Sequence, residues 1–203
     1  MSWYPWGMTM RYGNLPGLAF TVASIYQLLR AVGATVTVFE ICVLFPVVTG
    51  ALACVAIYFL GREIWSKSVG LLSALFLALN TAHIERTSLG FLRHETVGIP
   101  VIIVTFLFFI RAIAPNRPLR SCLIYSATSA LLLFYLSATW AAYIYPMDMI
   151  VLYAFALAIL GRYTRRLLIG YSVTFGLFLF LTSNFVPKVG TSILSFAGTL
   201  AIL

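Results

Sequence analysis

The chain has 203 residues, of which 62% are hydrophobic and 9% are charged, and its mean hydropathy is +1.03. A composition this apolar excludes a soluble globular domain, and the lack of strict alternation between polar and apolar residues excludes a transmembrane β-barrel. The formal net charge of +8 does not indicate nucleic-acid binding, because the basic residues stand at the ends of apolar segments, where they orient membrane helices.

The chain begins with an aromatic segment that is neither a signal peptide nor a membrane span. Residues 1–16 contain four side chains of the types that settle at the depth of lipid headgroups: Trp3, Tyr4, Trp6 and Tyr12. The apolar segment Leu18–Val32 follows, and its length of about 15 residues is too short to cross a bilayer comfortably. We therefore expect an interfacial loop and then an interfacial or re-entrant helix.

Apolar segments of nearly membrane-spanning length then follow one another to the end of the chain. Six of them predict membrane-spanning helices: Phe39–Leu60, Val69–Thr81, Thr96–Ile110, Cys122–Leu136, Tyr143–Leu160 and Leu167–Leu181. Pro46 predicts a bend in the first of these helices. A last apolar run predicts one more span, truncated at Leu203. The sequence therefore predicts an all-α integral membrane protein, a helical bundle of about six spans.

The Lys and Arg residues divide unequally between the two ends of these predicted spans. Eight of the 13 lie at one end: Arg62, Lys67, Arg111, Arg117, Arg120, Arg162, Arg165 and Arg166. The other five are Arg11, Arg30, Arg86, Arg93 and Lys188. Because cytoplasmic loops carry the excess of basic residues, we expect the first group at the cytoplasmic face and the second group at the external face.

The external end also contains the densest group of ionisable residues, in the predicted loop from His83 to Gly98. Five of its side chains could converge beside the membrane: Glu85, Arg86, Arg93, His94 and Glu95. Carboxylates and a histidine suit a divalent cation, and arginines suit a phosphate or a carboxylate. The stretch therefore predicts a site for a lipid-linked phosphate, and the alternative is an exposed loop whose charges pair with one another.

We expect structural rather than functional roles for His83, Glu63 and the three cysteines. His83 is expected to cap a helix, and the spacing of Glu63 favours pairing with Arg62 or Lys67. The three cysteines, Cys42, Cys54 and Cys122, lie in apolar segments without metal-ligand spacing, so we expect small buried side chains.

Several stretches, in order along nearly the whole chain, resemble one enzyme family. They are SWYPWG with NLPGL, the segment FPVVTGALACVAIYFLGREIWSKSVGLLSALFLA, the stretch ERTSLGFLRHETVG, and TWAAYIY. Together they resemble the catalytic membrane subunit of N-glycosylation oligosaccharyltransferases, most closely the archaeal branch. In that family the third stretch is the second external loop, where Arg-Thr/Ser-x-x-Gly precedes two acidic residues separated by one position.

The resemblance implies a GT-C-like membrane enzyme. Such enzymes transfer an oligosaccharide from a polyisoprenyl (dolichyl) phosphate or pyrophosphate carrier to asparagine in an Asn-x-Ser/Thr sequon of an acceptor polypeptide, with Mn²⁺ or Mg²⁺ held by acidic residues. Glu95 occupies the second acidic position, and Arg93 replaces the first acidic residue. A guanidinium offers no lone pair to a metal, so two alternatives stay open: Arg93 binds carrier phosphate instead of a metal, or His94 and Glu95 are the metal ligands. Arg86, Arg93 and His94 would bind the carrier phosphate, and Glu95 and Arg93 would be the catalytic residues.

The resemblance also implies family elements outside this sequence: a first span and acidic pair upstream of Met1, and a further external loop and soluble domain beyond Leu203. We therefore expect residues 1–203 to be a partial transmembrane domain that does not catalyse alone. The expected location is the plasma membrane, with several spans and an external active face. The alternatives are a non-catalytic or transport-type membrane protein and another lipid-phosphate-dependent sugar transferase.

Overall fold

A computed structural model describes residues 15–186 of the chain, and each predicted span in that range overlaps a helix. The α-helices in this part of the chain are α1 (Gly17–Ala31), α2 (Val38–Ile64), α3 (Lys67–Leu79), α4 (Thr81–Arg86), α5 (His94–Ile113), α6 (Leu119–Thr139), α7 (Ile144–Ile159) and α8 (Arg165–Phe185). A short 3₁₀-helix, Ala141–Tyr143, leads into α7. The aromatic segment that precedes Leu15 and the last apolar run lie outside the described residues.

Within residues 15–186, five helical segments are long and apolar enough to cross a membrane: α2, α5, α6, Ala141–Ile159 and α8. The predicted span Val69–Thr81 is not among these five segments. Most of it lies in α3, which has only 13 residues. At 1.5 Å per residue it rises about 20 Å, against about 30 Å for a bilayer core. The chain turns at Asn80, whose side chain caps the short helix α4 by accepting a hydrogen bond from the backbone N–H of His83 at 3.2 Å.

Helices α5 and α6 lie at the centre of the bundle. One apolar cluster joins α5, α6 and α8 with the start of α7, and its fully buried members include Phe109, Leu133 and Phe178. A second cluster, with Ala53 and Leu107, joins α2 to α5. Because both clusters include residues of α5, the position of this helix in the bundle is fixed, including the end at which the predicted site begins.

Buried hydroxyl groups connect the central helices. The Ser129 hydroxyl donates a hydrogen bond to the Thr105 carbonyl oxygen at 3.2 Å, and the Thr174 hydroxyl donates to the Ser126 carbonyl oxygen at 3.4 Å. Such bonds join α5 to α6 and α6 to α8. Small polar side chains at helix interfaces are typical of membrane bundles, where lipid offers no hydrophobic force to drive helices together.

Helix α2 begins with a capping box and continues through Pro46. The Thr37 hydroxyl accepts a hydrogen bond from the backbone N–H of Glu40 at 3.3 Å, and the Glu40 carboxylate accepts from the backbone N–H of Thr37 at 2.7 Å. Near its other end α2 packs closely on α3, because a Cβ added to Gly61 would lie 2.9 Å from the Cα of Gly70. The two helices therefore form a tight hairpin.

The pairing predicted for Glu63 is wrong. Its carboxylate accepts hydrogen bonds from Arg111 Nε and Arg117 Nη2, each at 2.9 Å, instead of pairing with Arg62 or Lys67. Arg166 Nη1 also donates to the Ala114 carbonyl oxygen at 2.7 Å. These contacts bring together the ends of α2 and α5, the turn that leads into α6, and the start of α8, as the charge asymmetry predicts for one face.

Candidate functional site

The predicted external site comprises helices α4 and α5 and the loop between them. The predicted loop from His83 to Gly98 is shorter in the structure, because His83 and Arg86 lie in α4 and α5 begins at His94 rather than at Thr96. Only residues 87–93 connect the two helices. Glu95 therefore lies in the first turn of a helix, where its negative charge is stabilised by the helix dipole.

Local hydrogen bonds hold the connecting loop in place. Gly90 has a φ of +79°, a conformation that favours glycine, and its N–H donates to the Val43 carbonyl oxygen at 3.1 Å, so the loop is attached to α2. The Thr96 hydroxyl donates to the Phe91 carbonyl oxygen and accepts from the backbone N–H of Arg93, both at 3.3 Å. Thr96 is buried, so this end of the loop is anchored in the bundle.

Arg86, Arg93 and Glu95 form an ion-pair group that we call the arginine–glutamate cluster. Arg86 Nη1 donates to Glu95 Oε1 at 3.0 Å, and Arg93 Nε lies 3.7 Å from Glu95 Oε2. The exposed fractions of the three side chains are 39%, 56% and 21%, respectively. The cluster thus carries a net charge of +1 on an accessible surface, which suits an anionic ligand.

The guanidiniums of Arg86 and Arg93 both contact the aromatic ring of Phe91. The Cζ atom of Arg86 lies 5.8 Å from the centre of the Phe91 ring, and the Cζ atom of Arg93 lies 5.7 Å from it. Both distances are within the range of a cation–π contact. The sequence interpretation missed Phe91, although an aromatic residue between two arginines in a short polar loop was a usable signal.

The other predicted residues of the stretch have different surroundings. Glu85 is exposed and makes no ion pair within residues 15–186. His83 was predicted to cap a helix, and this prediction is wrong. Its side chain is buried, and its Nε2 lies 3.3 Å from the Gly50 carbonyl oxygen in α2. The structure therefore brings Arg86, Arg93 and Glu95 together, with His94 between the last two in sequence.

Metal ligation is poorly supported by the described residues. Within residues 15–186, no three His, Cys, Asp or Glu side chains lie close enough together to hold a metal ion. His94 Nδ1 and Glu95 Oε2 are buried without a hydrogen-bond partner in this part of the chain, so they offer two ligand atoms at most. Mg²⁺ prefers six ligands in octahedral geometry, and two guanidiniums beside Glu95 would repel a cation. The described residues do not fit a complete metal site.

Tight packing against Trp140 positions the start of α5. A Cβ added to Gly98 would lie 2.2 Å from the Trp140 ring atom Cε3, so only glycine allows this approach without displacement of the ring. Similarly, a Cβ at Gly17 would lie 2.2 Å from the Thr139 Oγ1 atom, which places the start of α1 against the end of α6. These contacts support the helix that carries Glu95.

Comparison with known proteins gives consistent matches across most of the chain. The family model described as "Oligosaccharyl transferase STT3, N-terminal" matches residues 1–203. The dolichyl-diphosphooligosaccharide–protein glycosyltransferase subunit STT3B of Oryza sativa subsp. japonica is 34% identical over 187 residues, which are 91% of this chain and 25% of that protein. The stt3 subunit of Schizosaccharomyces pombe is 32% identical, over 93% of this chain and 24% of its own length.

Solved structures show the same fold. The Archaeoglobus fulgidus oligosaccharyltransferase, in a crystal structure described as a complex with Zn and sulfate, matches 91% of this chain and 24% of its own, with a TM-score of 0.74 and 19% identity. A structure of the archaeal AglB from the same organism, in complex with an inhibitory peptide and a dolichol-phosphate, has a TM-score of 0.73 and 19% identity over 90% of this chain and 22% of its own. The predicted all-α, multi-span membrane fold is confirmed.

Proposed function

We infer the function of this chain from its family: it belongs to the oligosaccharyl transferase STT3 family. The chain spans about a quarter of the length of the curated relatives that it matches, so the activity proposed is that of a whole protein of which this chain forms the N-terminal transmembrane part. That protein transfers an oligosaccharide from a polyisoprenyl (dolichyl) phosphate or pyrophosphate carrier to asparagine in an Asn-x-Ser/Thr sequon. The arginine–glutamate cluster is the observation that carries this proposal.

The chemistry of the reaction explains why such a cluster is needed. The bond between the sugar and the carrier phosphate breaks, so negative charge develops on the leaving phosphate oxygen. Arg86 and Arg93 bind that phosphate through charge-assisted hydrogen bonds, and both guanidiniums contact the ring of Phe91. His94, in the first turn of α5, adds a hydrogen bond to the phosphate.

Glu95 has a different role in the proposed reaction. The asparagine amide is a weak nucleophile, and a carboxylate that accepts a hydrogen bond from its nitrogen increases its reactivity. Glu95 is the carboxylate of the arginine–glutamate cluster, 3.0 Å from Arg86, so it lies next to the proposed phosphate position. Glu95 and Arg93 are accordingly the catalytic residues of this proposal.

The family resemblance also implies a divalent cation, Mn²⁺ or Mg²⁺. His94 Nδ1 and Glu95 Oε2 are the two atoms that this part of the chain offers, and they do not complete a site. In this proposal the arginines, rather than a metal held by these residues, neutralise the carrier phosphate. The unequal distribution of Lys and Arg supports an external active face. We propose the plasma membrane of an archaeal cell as the location because the motifs of the chain resemble the archaeal branch of the family.

Transfer of a lipid-linked oligosaccharide to a fluorescent sequon peptide, by the purified full-length protein, tests this function. We expect kcat/KM to fall about 10- to 100-fold in Arg86→Gln and in Arg93→Gln, because each loses a charge-assisted hydrogen bond worth about 1.5–3 kcal/mol. Arg30→Gln, which removes an exposed charge in the last turn of α1, is the matched control and should retain activity. Transfer that is undiminished in both arginine variants would contradict the proposal.

A further inference from the structure

The opposite end of the bundle carries a second concentration of positive charge, which we call the basic end. It contains eight Lys and Arg side chains: Arg62, Lys67, Arg111, Arg117, Arg120, Arg162, Arg165 and Arg166. Of the five Asp and Glu residues in the chain, only Glu63 lies at this end of the described residues. Its single negative charge leaves this surface strongly basic.

Three of these cations make contacts within the protein. Arg111 and Arg117 both bind the Glu63 carboxylate, whose side chain is 20% exposed. Arg166 donates hydrogen bonds to the carbonyl oxygens of Ala114 and Arg117. Together they join the end of α2, the turn from α5 to α6, and the first turn of α8 into one platform.

The other five cations have no such partner. Arg62, Lys67, Arg120, Arg162 and Arg165 are exposed and form no ion pair within residues 15–186. They lie at the turns from α2 to α3, from α5 to α6 and from α7 to α8. Orientation of helices in a membrane requires basic residues near the helix ends, but it does not require them on one surface held together by ion pairs.

Aromatic residues alternate with these free cations. Trp65 lies between Arg62 and Lys67 and is 82% exposed, and Tyr163 lies between Arg162 and Arg165 and is 56% exposed. Trp and Tyr settle at the depth of lipid headgroups. Because Trp65 and Tyr163 lie within three residues of the neighbouring cations, a headgroup depth for the two aromatic rings implies a headgroup depth for those cations.

We propose that the basic end is a binding site for anionic phospholipid of the cytoplasmic leaflet, with the headgroup phosphates held by the five free cations. Anionic lipid is favoured because five charges of one sign at headgroup depth match phosphodiester groups that carry no compensating cation. The site is separate from the arginine–glutamate cluster and does not depend on the proposed transferase activity.

Lipid retention by the full-length protein tests this site. The protein, in detergent, is incubated with equal amounts of phosphatidylglycerol and phosphatidylcholine, and bound lipids are counted by native mass spectrometry. We expect preferential retention of phosphatidylglycerol that weakens with salt. The combined substitution Arg120→Gln, Arg162→Gln and Arg165→Gln should reduce that preference by up to about 100-fold, at about fivefold for each cation near an anionic surface.

Two controls make the result specific. Replacement of the same three arginines by lysine keeps the charge and should retain the preference, and Arg30→Gln removes a charge from the other end and should leave it unchanged. Equal retention of the two lipids by the parent protein would overturn the proposal. So would an undiminished preference in the triple glutamine variant, or its loss in the lysine variant, which would show that positive charge alone does not hold the headgroup phosphates.

Discussion

Replacement of Glu95 by glutamine should separate the binding of carrier phosphate from its turnover. The Glu95 carboxylate offsets one of the two guanidinium charges in the arginine–glutamate cluster, since it lies 3.0 Å from Arg86 and 3.7 Å from Arg93. Glutamine keeps the size and shape of the side chain and removes its charge. The variant therefore presents two uncompensated guanidiniums to an anion, and it lacks the carboxylate that contacts the acceptor amide.

The size of the binding effect follows from Coulomb's law. For a phosphate about 6 Å from the carboxylate, the repulsion is about 0.7 kcal/mol at a dielectric constant of 80 and about 2.8 kcal/mol at 20. The arginine side chains are 39% and 56% exposed, so the solvent-screened end of this range applies. We expect Glu95→Gln to bind phosphate about 3- to 10-fold more tightly, and its transfer rate to fall about 100-fold or more.

The assay measures both quantities on the full-length protein. Affinity for a short-chain polyisoprenyl phosphate is obtained by calorimetry at fixed salt, and the transfer rate is obtained with a sequon peptide under saturating donor. Glu85→Gln is the matched control, because Glu85 is exposed and forms no ion pair among residues 15–186. Weaker phosphate binding by Glu95→Gln would refute the reasoning, because it would mean that the carboxylate attracts the ligand, for example through a cation.

Three other perturbations test separate parts of the structure. Glu63→Gln should lower the free energy of unfolding by about 2–4 kcal/mol, because it leaves Arg111 and Arg117 without their shared carboxylate, and thermal denaturation in detergent measures the loss. Gly98→Val should cost about 1–3 kcal/mol by overpacking against Trp140, and an unchanged melting temperature would contradict that contact. A chelator should change the Kd for polyisoprenyl phosphate less than about twofold if guanidiniums supply the charge, whereas a loss of about tenfold or more would indicate a metal.

The fold could be predicted largely from hydropathy. A bilayer requires each spanning segment to satisfy its own backbone hydrogen bonds, so a long apolar run has little choice but to form a helix. The predicted segment Cys122–Leu136, for example, lies within the helix Leu119–Thr139. The bounds of α3 were not predictable to the same accuracy, although its length was. The Ser66 side chain caps a helix that begins two residues before the predicted start, and the side chain of Asn80 starts a new helix before the predicted end.

The residues of the candidate site could be selected from the sequence, but their arrangement could not be predicted. Clustering of charge identified the stretch around Arg93 and Glu95, since uncompensated ionisable residues are costly beside hydrocarbon. The partner of Glu63 depends on the tertiary structure, because Arg111 and Arg117 are 48 and 54 residues away in sequence. The contact of two arginines with Phe91 likewise requires the turn at Gly90, which no spacing rule predicts.

Binding of a short-chain polyisoprenyl phosphate to the full-length protein and to its double variant Arg86→Gln/Arg93→Gln tests the central claim most directly. Two charge-assisted hydrogen bonds of about 1.5–3 kcal/mol each correspond to a loss of affinity of at least about 100-fold. We predict a loss of that size, together with a weaker dependence of the remaining affinity on salt. Equal affinity of the parent protein and the double variant would show that the two external guanidiniums do not hold the carrier phosphate.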